Sequence, residues 1–393
     1  MGGAHRLGEA YARAWRRCYT DLRMRTARVL SALALVAASW PAVRIAHADT
    51  PPSVWDVAKD TAEADRWTLH VKVQRLLHSL PAETPEFLEL RRDQELRLES
   101  ARMLLEQADA ADSPDARLRF DLGTVYEDIA VLERRTDLTP RAVAVLAPAL
   151  EAFPDAPGST GALDSLVDAY AHLNRPHEEV AAATRYIPRL LDDRARVGPL
   201  MNLGEAEMRL GQLDDALATL REGLRECERL PNSSGVNETY ALTLWDVAVA
   251  LDRSGDPGGA EATAAKARGW SWSEAIGSGA IQMARLVTGW DAIRNTDDVF
   301  FVPEWERDWY LALGESVAAQ GASDPRDAVH GWAEAERHWT AYVSGATAEG
   351  STDRWLPLAR ARLARTHAAR VAAEKRAAKL PPRAPSPDGT TTL

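Results

Sequence analysis

Leu200 to Leu224 reads LMNLGEAEMRLGQLDDALATLREGL, two short amphipathic helices joined by a tight turn. Leu200, Leu203, Gly204 and Met208 fall on one face at helical spacing. Gly211 breaks the first helix, and Asp214 and Asp215 stand where a second begins. Ala216, Leu220 and Leu224 then restore an apolar stripe. A chain built of such hairpins is an interaction scaffold in outline. Nothing in the stretch says which partner it holds.

Working outward, the same spacing recurs. Leu122-Gly123-x2-Tyr126 is followed by Ala142-x3-Leu146 and Pro154. Leu163-x2-Leu166-Val167-x2-Tyr170 is followed by Val180-x3-Thr184, and Leu244-x2-Val247-Ala248-x2-Leu251 by Gly255 and Ala260-x3-Ala264. The last unit is Tyr310-x2-Leu313-Gly314-x2-Val317, then Ala328-x3-Trp332. The small positions of the first helices are 123, 167, 204, 248 and 314, at steps of 44, 37, 44 and 66 residues. The extra length is rich in Pro, Gly and Asn and reads as loop. Small residues permit close approach: Gly or Ala in a first helix admits its partner helix, and Ala in the second admits the next hairpin.

These units resemble tetratricopeptide repeats over roughly residues 115 to 345, best at Leu200 and Leu244. Glu207 stands where an aromatic is usual and Arg119 where a large apolar residue is. The chain also resembles uncharacterised exported bacterial repeat proteins through NLGEAEMRLG, LWDVAVALDRSGD, DDVFFVPEWERDWYLALG and DRWLPLARARLA. The fold expected is all-α, a superhelical array of antiparallel helix hairpins with atypical capping helices.

The flanks set the expected domains. Residues 1–23 are Arg-rich, precede Met24 and read as an over-extended gene model. Residues 24–48 have the layout of a secretory signal peptide: basic Met24 to Arg28, an apolar run from Val29 to Val43, and Ala46-His47-Ala48 with cleavage after Ala48. That places the chain in the periplasm or medium, with an N-terminal membrane anchor as the alternative; the run is short for a span of about 20 residues. Residues 49–112 read as capping helices, with Ser113 capping the helix that follows. Residues 113–270 hold the repeats, 271–376 Trp-rich repeats with a final helix that frays after Arg365, and 377–393 a tail. Asp298 to Pro303 is the one strand-like stretch.

Residues 1–48 carry eight Arg against Glu9 and Asp21, so the remaining chain has 39 basic and 56 acidic residues and a formal charge of −17. That disfavours nucleic acid and anionic membrane surfaces, and suits a basic partner. Cys18 lies in the leader, so Cys227 stands alone and reads as a small buried apolar residue.

Catalytic spacing is absent: there is no phosphate loop and no His-Glu-x-x-His. Gly277-Ser278-Gly279 lacks the outer glycines of a nucleophile elbow and reads as loop. His70 with His78, and His330 with His338 on an expected exposed face, lack a third ligand. No cofactor or metal is expected, and no enzyme activity. In the tetratricopeptide resemblance a partner lies along the first helices. By spacing the partner-facing positions are Met201, Glu205, Met208 and Arg209, then Trp245, Val249, Asp252 and Arg253, preceded by Asp164, Asp168 and His172. Asn202 stands where some members of that family clasp a C-terminal carboxylate, but Leu242 and Asp246 stand where the basic partners of such a clamp belong, so no clamp is expected. A face of Met, Trp and carboxylates favours a basic, partly apolar protein or peptide segment. The alternative is a carbohydrate or envelope polymer stacked on Trp270, Trp272, Trp305 and Trp309, which requires those indoles to be exposed.

Overall fold

The computed structural model describes residues 60–78, 87–231, 233–276, 283–294, 301–348 and 353–381. The Arg-rich extension, the leader with its cleavage point, Gly277-Ser278-Gly279 and the tail after residue 381 lie outside the described residues. The chain divides into two compact units, Met1–Leu210 and Gly211–Leu393. The division falls between the two helices of the Leu200 to Leu224 hairpin.

Unit one holds α1 (Thr61–His78), α2 (Phe87–Gln107), α3 (Ala116–Glu133), α4 (Thr139–Ala152), α5 (Ser159–His172), α6 (Pro176–Tyr186) and α7 (Asp193–Leu210). Successive helices pack as antiparallel hairpins. The start of α3 differs from expectation: its cap is Asp115, whose side chain accepts from Arg117 N, while Ser113, two residues earlier, accepts from Asp115 N. Arg134, in the left-handed region at φ 55°, closes α3. The small position at Gly123 has a visible reason. A Cβ there would lie 2.3 Å from Leu146 Cγ, the apolar residue that the spacing places in the second helix. The core of this unit runs from Val73 and Leu105 through Leu122, Ile129 and Leu150 to Leu166 and Leu200.

Unit two holds α8 (Leu213–Arg229), α9 (Ser234–Ser254), α10 (Pro257–Gly269), β1 (Ser271–Ile276), β2 (Met283–Thr288), α11 (Gly289–Arg294), α12 (Arg307–Gly321), α13 (Pro325–Ala348) and α14 (Leu356–Ala377). Ala216, Ala248, Ala260, Ala264 and Ala328 of the repeat pattern are all buried. Gly255, at φ 90°, ends α9, and Asp256 caps α10 through Gly259 N. Two expectations fail here. The strands are β1 and β2, an antiparallel hairpin pairing Trp272 with Val287. Phe301 to Pro303 is irregular, and residues 298–300 lie outside the described residues. Nor does α14 fray after Arg365. Ala373 is fully buried, and His367 and Arg370 hold Glu336 of α13.

Cys227 is buried, and desolvation pushes its thiol up to about 11, as suits a packing residue. Among the described residues no helix is long and apolar enough to cross a membrane.

Candidate functional site

The expected partner-facing residues divide sharply between the units. In unit two they are interior, a correction of their expected placement. Trp245 is fully buried; its Nε1 donates to Gly289 O at 3.0 Å and its ring meets Trp290 at 5.8 Å. Asp252 is 1% exposed and accepts from Trp309 Nε1 at 3.1 Å and from Arg362 of α14. Arg253 is ion-paired with Glu306 and lies over the Trp309 and Trp355 rings. Val249 is buried too. The physical reason is that α11, α12 and α14 cover the face of α9 that the repeat pattern leaves for a partner.

In unit one, Met208 is also core, at 2% exposure, as its place on the stripe with Leu200 and Gly204 implies. Met201 and Glu205 are half-buried on α7. Arg209 bonds Glu179 of α6, itself 1% exposed. The structure does gather Asp164, Asp168 and His172. Thr124 of α3 accepts from Ser165 of α5 at 3.1 Å, and His172 lies 2.6 Å from Glu127 Oε1, so α3 and α5 run side by side. That brings Asp128 of α3 into the same group.

The carboxyls of this group act on one another. Desolvation first, then Glu127 and Asp164, pushes Asp128 up to about 7. Desolvation, then Asp164, Glu127, Glu179 and Asp128, holds Asp168 well above the usual carboxylate range. Asp164 is raised by desolvation despite a hydrogen bond from Tyr186, and Glu179 is raised to about 7 by desolvation despite Arg209. Yet Asp128 and Asp164 keep exposed side chains and Asp168 is only half-buried. Exposed or half-exposed carboxyls along the seam where α3 and α5 run side by side, with the buried Glu127 among them, form an acidic recess rather than an enclosed core. Neither Asp128 nor Asp168 has a hydrogen bond or ion pair with another described residue.

The sequence reading missed Glu127 and Asp128. They stand four and five residues after the small Gly123, as Met208 and Arg209 do after Gly204. The same spacing carried one hairpin earlier finds both. The expected exposure of His338 is also corrected: it is buried and bonds Asp308 at 2.6 Å. Of the four indoles considered for sugar stacking, Trp272 and Trp309 are buried. Trp270 is half-covered by Tyr240 and Trp305 by Tyr342. Among the described residues no group of three or more His, Cys, Asp or Glu is arranged to hold a metal ion.

A pH dependence follows. A carboxyl whose pKa is raised in the fold binds a proton there that the unfolded chain releases. Between its unfolded value near 4 and the folded value near 7, stability therefore falls as pH rises. Below about pH 4 both states are protonated and the effect vanishes. Asp128→Asn should raise the stability of unit one at about pH 8 by ~1 kcal/mol, allowing for solvent screening. At about pH 5 the gain should be much smaller. Thermal unfolding of the full chain at both pH values checks this; an equal gain at both would rule out relief of charge.

No protein-family model matches the sequence, and no curated protein matches it. Among solved structures it is similar to a signal-transduction ATPase with numerous domains carrying a tetratricopeptide repeat sensor, from Pyrococcus horikoshii. That match is 12% identical, covers 82% of this chain and 50% of that one, and has a TM-score of 0.43. This chain thus spans about half the length of that protein. It is also similar to a Rap protein solved with competence and sporulation factor, at 10% identity, covering 82% of this chain and 94% of that one, with a TM-score of 0.39.

Proposed function

We propose that the chain is a non-catalytic protein-interaction scaffold that receives a partner segment on the face of unit one shared by α3, α5 and α7. The observation that carries this reading is the recess at Asp128, Asp164 and Asp168. Its carboxyls are reachable from solvent, crowd one another and are incompletely neutralised by the fold. Like charges held together at a cost to stability are the mark of a surface arranged for something other than folding. Among the described residues the matched face of unit two is filled by the chain's own helices. The leader-like residues 24–48 support export to the cell envelope as the setting.

The test is a photo-crosslinking amino acid placed at Met201, which lies on this face by its spacing, and separately at Asp155, which is 90% exposed in the turn between α4 and α5. Cells of the source organism expressing each full chain are irradiated. A discrete crosslinked protein from position 201, absent from position 155, supports the reading. Adducts from position 155 alone, or from neither, sink it.

A further inference from the structure

Glu127 and Asp252 occupy the same place in their repeats, four residues after the small Gly123 and the small Ala248. Their surroundings differ in one respect. Asp252 is satisfied on both oxygens: Arg362 Nη2 donates to Oδ1, while Arg362 Nε at 3.3 Å and Trp309 Nε1 at 3.1 Å donate to Oδ2. Glu127, 3% exposed, has Oε1 on His172, but its buried Oε2 has no hydrogen-bond partner. A buried carboxylate oxygen left unpaired costs about 1–3 kcal/mol, more when charged. Glu127 precedes Asp128 in α3, and its contact with His172 sets it beside α5 one helical turn after Asp168.

We propose that the recess formed by Glu127, Asp128, Asp164 and Asp168 is a binding site for an arginine side chain of the partner segment. This rests on the scaffold reading and adds the chemistry that the scaffold recognises. Unit two contains the chemical precedent: the guanidinium of Arg362 reaches the matched carboxylate from the chain's own last helix. In unit one no described arginine or lysine does so for Glu127, Asp128 or Asp168. Arg209 is committed to Glu179, and His172 to the other oxygen of Glu127. A guanidinium presents several N–H donors in a planar fork and keeps its charge at every physiological pH. It can therefore pair with one or two of the reachable aspartates, while its charge offsets that of the buried Glu127 among them. Its arrival also lowers the pKa of those carboxyls, so binding releases protons and weakens as pH falls below about 7.

The probe is fluorescently labelled nona-arginine, with nona-citrulline as its uncharged analogue, titrated into the full chain at about 0.15 M salt and about pH 7.5. Because the whole chain is acidic, two triple variants separate the site from bulk charge. Asp128→Asn/Asp164→Asn/Asp168→Asn empties the recess of three charges. Asp137→Asn/Glu151→Gln/Asp155→Asn removes three exposed charges elsewhere in unit one. The expected result is binding of nona-arginine and not nona-citrulline, weakened about tenfold or more by the first variant and less than about twofold by the second. Removing like charges leaves the first variant at least as stable as the parent, which its thermal midpoint verifies, so its loss of binding is not unfolding. Equal weakening by both variants, no weakening by the first, or no binding at all overturns the arginine site. The crosslink from Met201 does not depend on these charges. A partner caught there while the recess fails this test leaves the scaffold standing and removes only its proposed chemistry.

Discussion

Arg253→Met lowers the stability of unit two by about 3–5 kcal/mol, the range for removing one partner of a buried ion pair. Arg253 is 5% exposed and its guanidinium lies over the Trp309 ring at 4.5 Å. Burial alone would favour its neutral form, and the groups around it, Glu306 foremost, together outweigh burial and hold it charged. Methionine fills much of the same volume, so the loss does not come from a cavity. It comes from Glu306, 8% exposed, which keeps only a 3.4 Å hydrogen bond from the Tyr342 hydroxyl. The double variant Arg253→Met/Glu306→Gln removes both charges and should recover most of the loss, because a pair replaced as a pair is often close to neutral. Denaturant unfolding followed by tryptophan emission suits the test, since nine of the thirteen Trp lie in unit two. A loss below about 1 kcal/mol, or a double variant no better than the single, would show that the pair does not anchor α9 to the segment before α12.

That ion pair also marks where the sequence stopped being legible. The spacing Leu244-x2-Val247-Ala248-x2-Leu251 found α9 and its packing face. It assigned Trp245, Asp252 and Arg253 to the opposite, partner-facing side. The periodicity of one helix reports which face is apolar, and says nothing of what a distant segment brings to the polar face. Arg362, 110 residues away, and Glu306, 53 residues away, are what turned that face inward. Small positions were legible because their cause is local: Gly123 and Leu146 belong to one hairpin. The strands β1 and β2 were not, since Ser271 to Ile276 and Met283 to Thr288 are short and lie next to a Trp-rich run that also suits helix. Among the hairpin residues whose burial is described, Trp272 and its partner Val287 are the buried ones. The acidic recess was half legible. Asp164, Asp168 and His172 followed from spacing, whereas Glu127 and Asp128 needed the same rule at a hairpin whose long turn, Glu133 to Pro140, obscures it.

Gly123→Ala tests the rule on which the whole reading of the repeats depends, and the expected net loss is about 2 kcal/mol. Two effects oppose each other. Alanine is the better helix former in the interior of α3, worth roughly 0.5–1 kcal/mol. Against that, the new Cβ would stand 2.3 Å from Leu146 Cγ and 2.5 Å from its Cδ2. Leu146 is fully buried and has no free space to swing into, so α3 and α4 must move apart. Overpacking of this kind costs about 1–3 kcal/mol, occasionally more, and this contact is closer than side chains tolerate. Leu146→Ala alone should cost about 2–5 kcal/mol by opening a cavity. Combined, the new methyl takes part of the space the leucine leaves. The double variant should be more stable than the sum of the singles by at least ~1 kcal/mol, the sign of direct coupling between contacting residues. Helix content by circular dichroism through a urea titration reads all three. Strict additivity, or a Gly123→Ala variant more stable than the parent, would mean that close approach at this position is not what selects glycine. The spacing argument for hairpins at 167, 204, 248 and 314 would then lose its physical basis along with it.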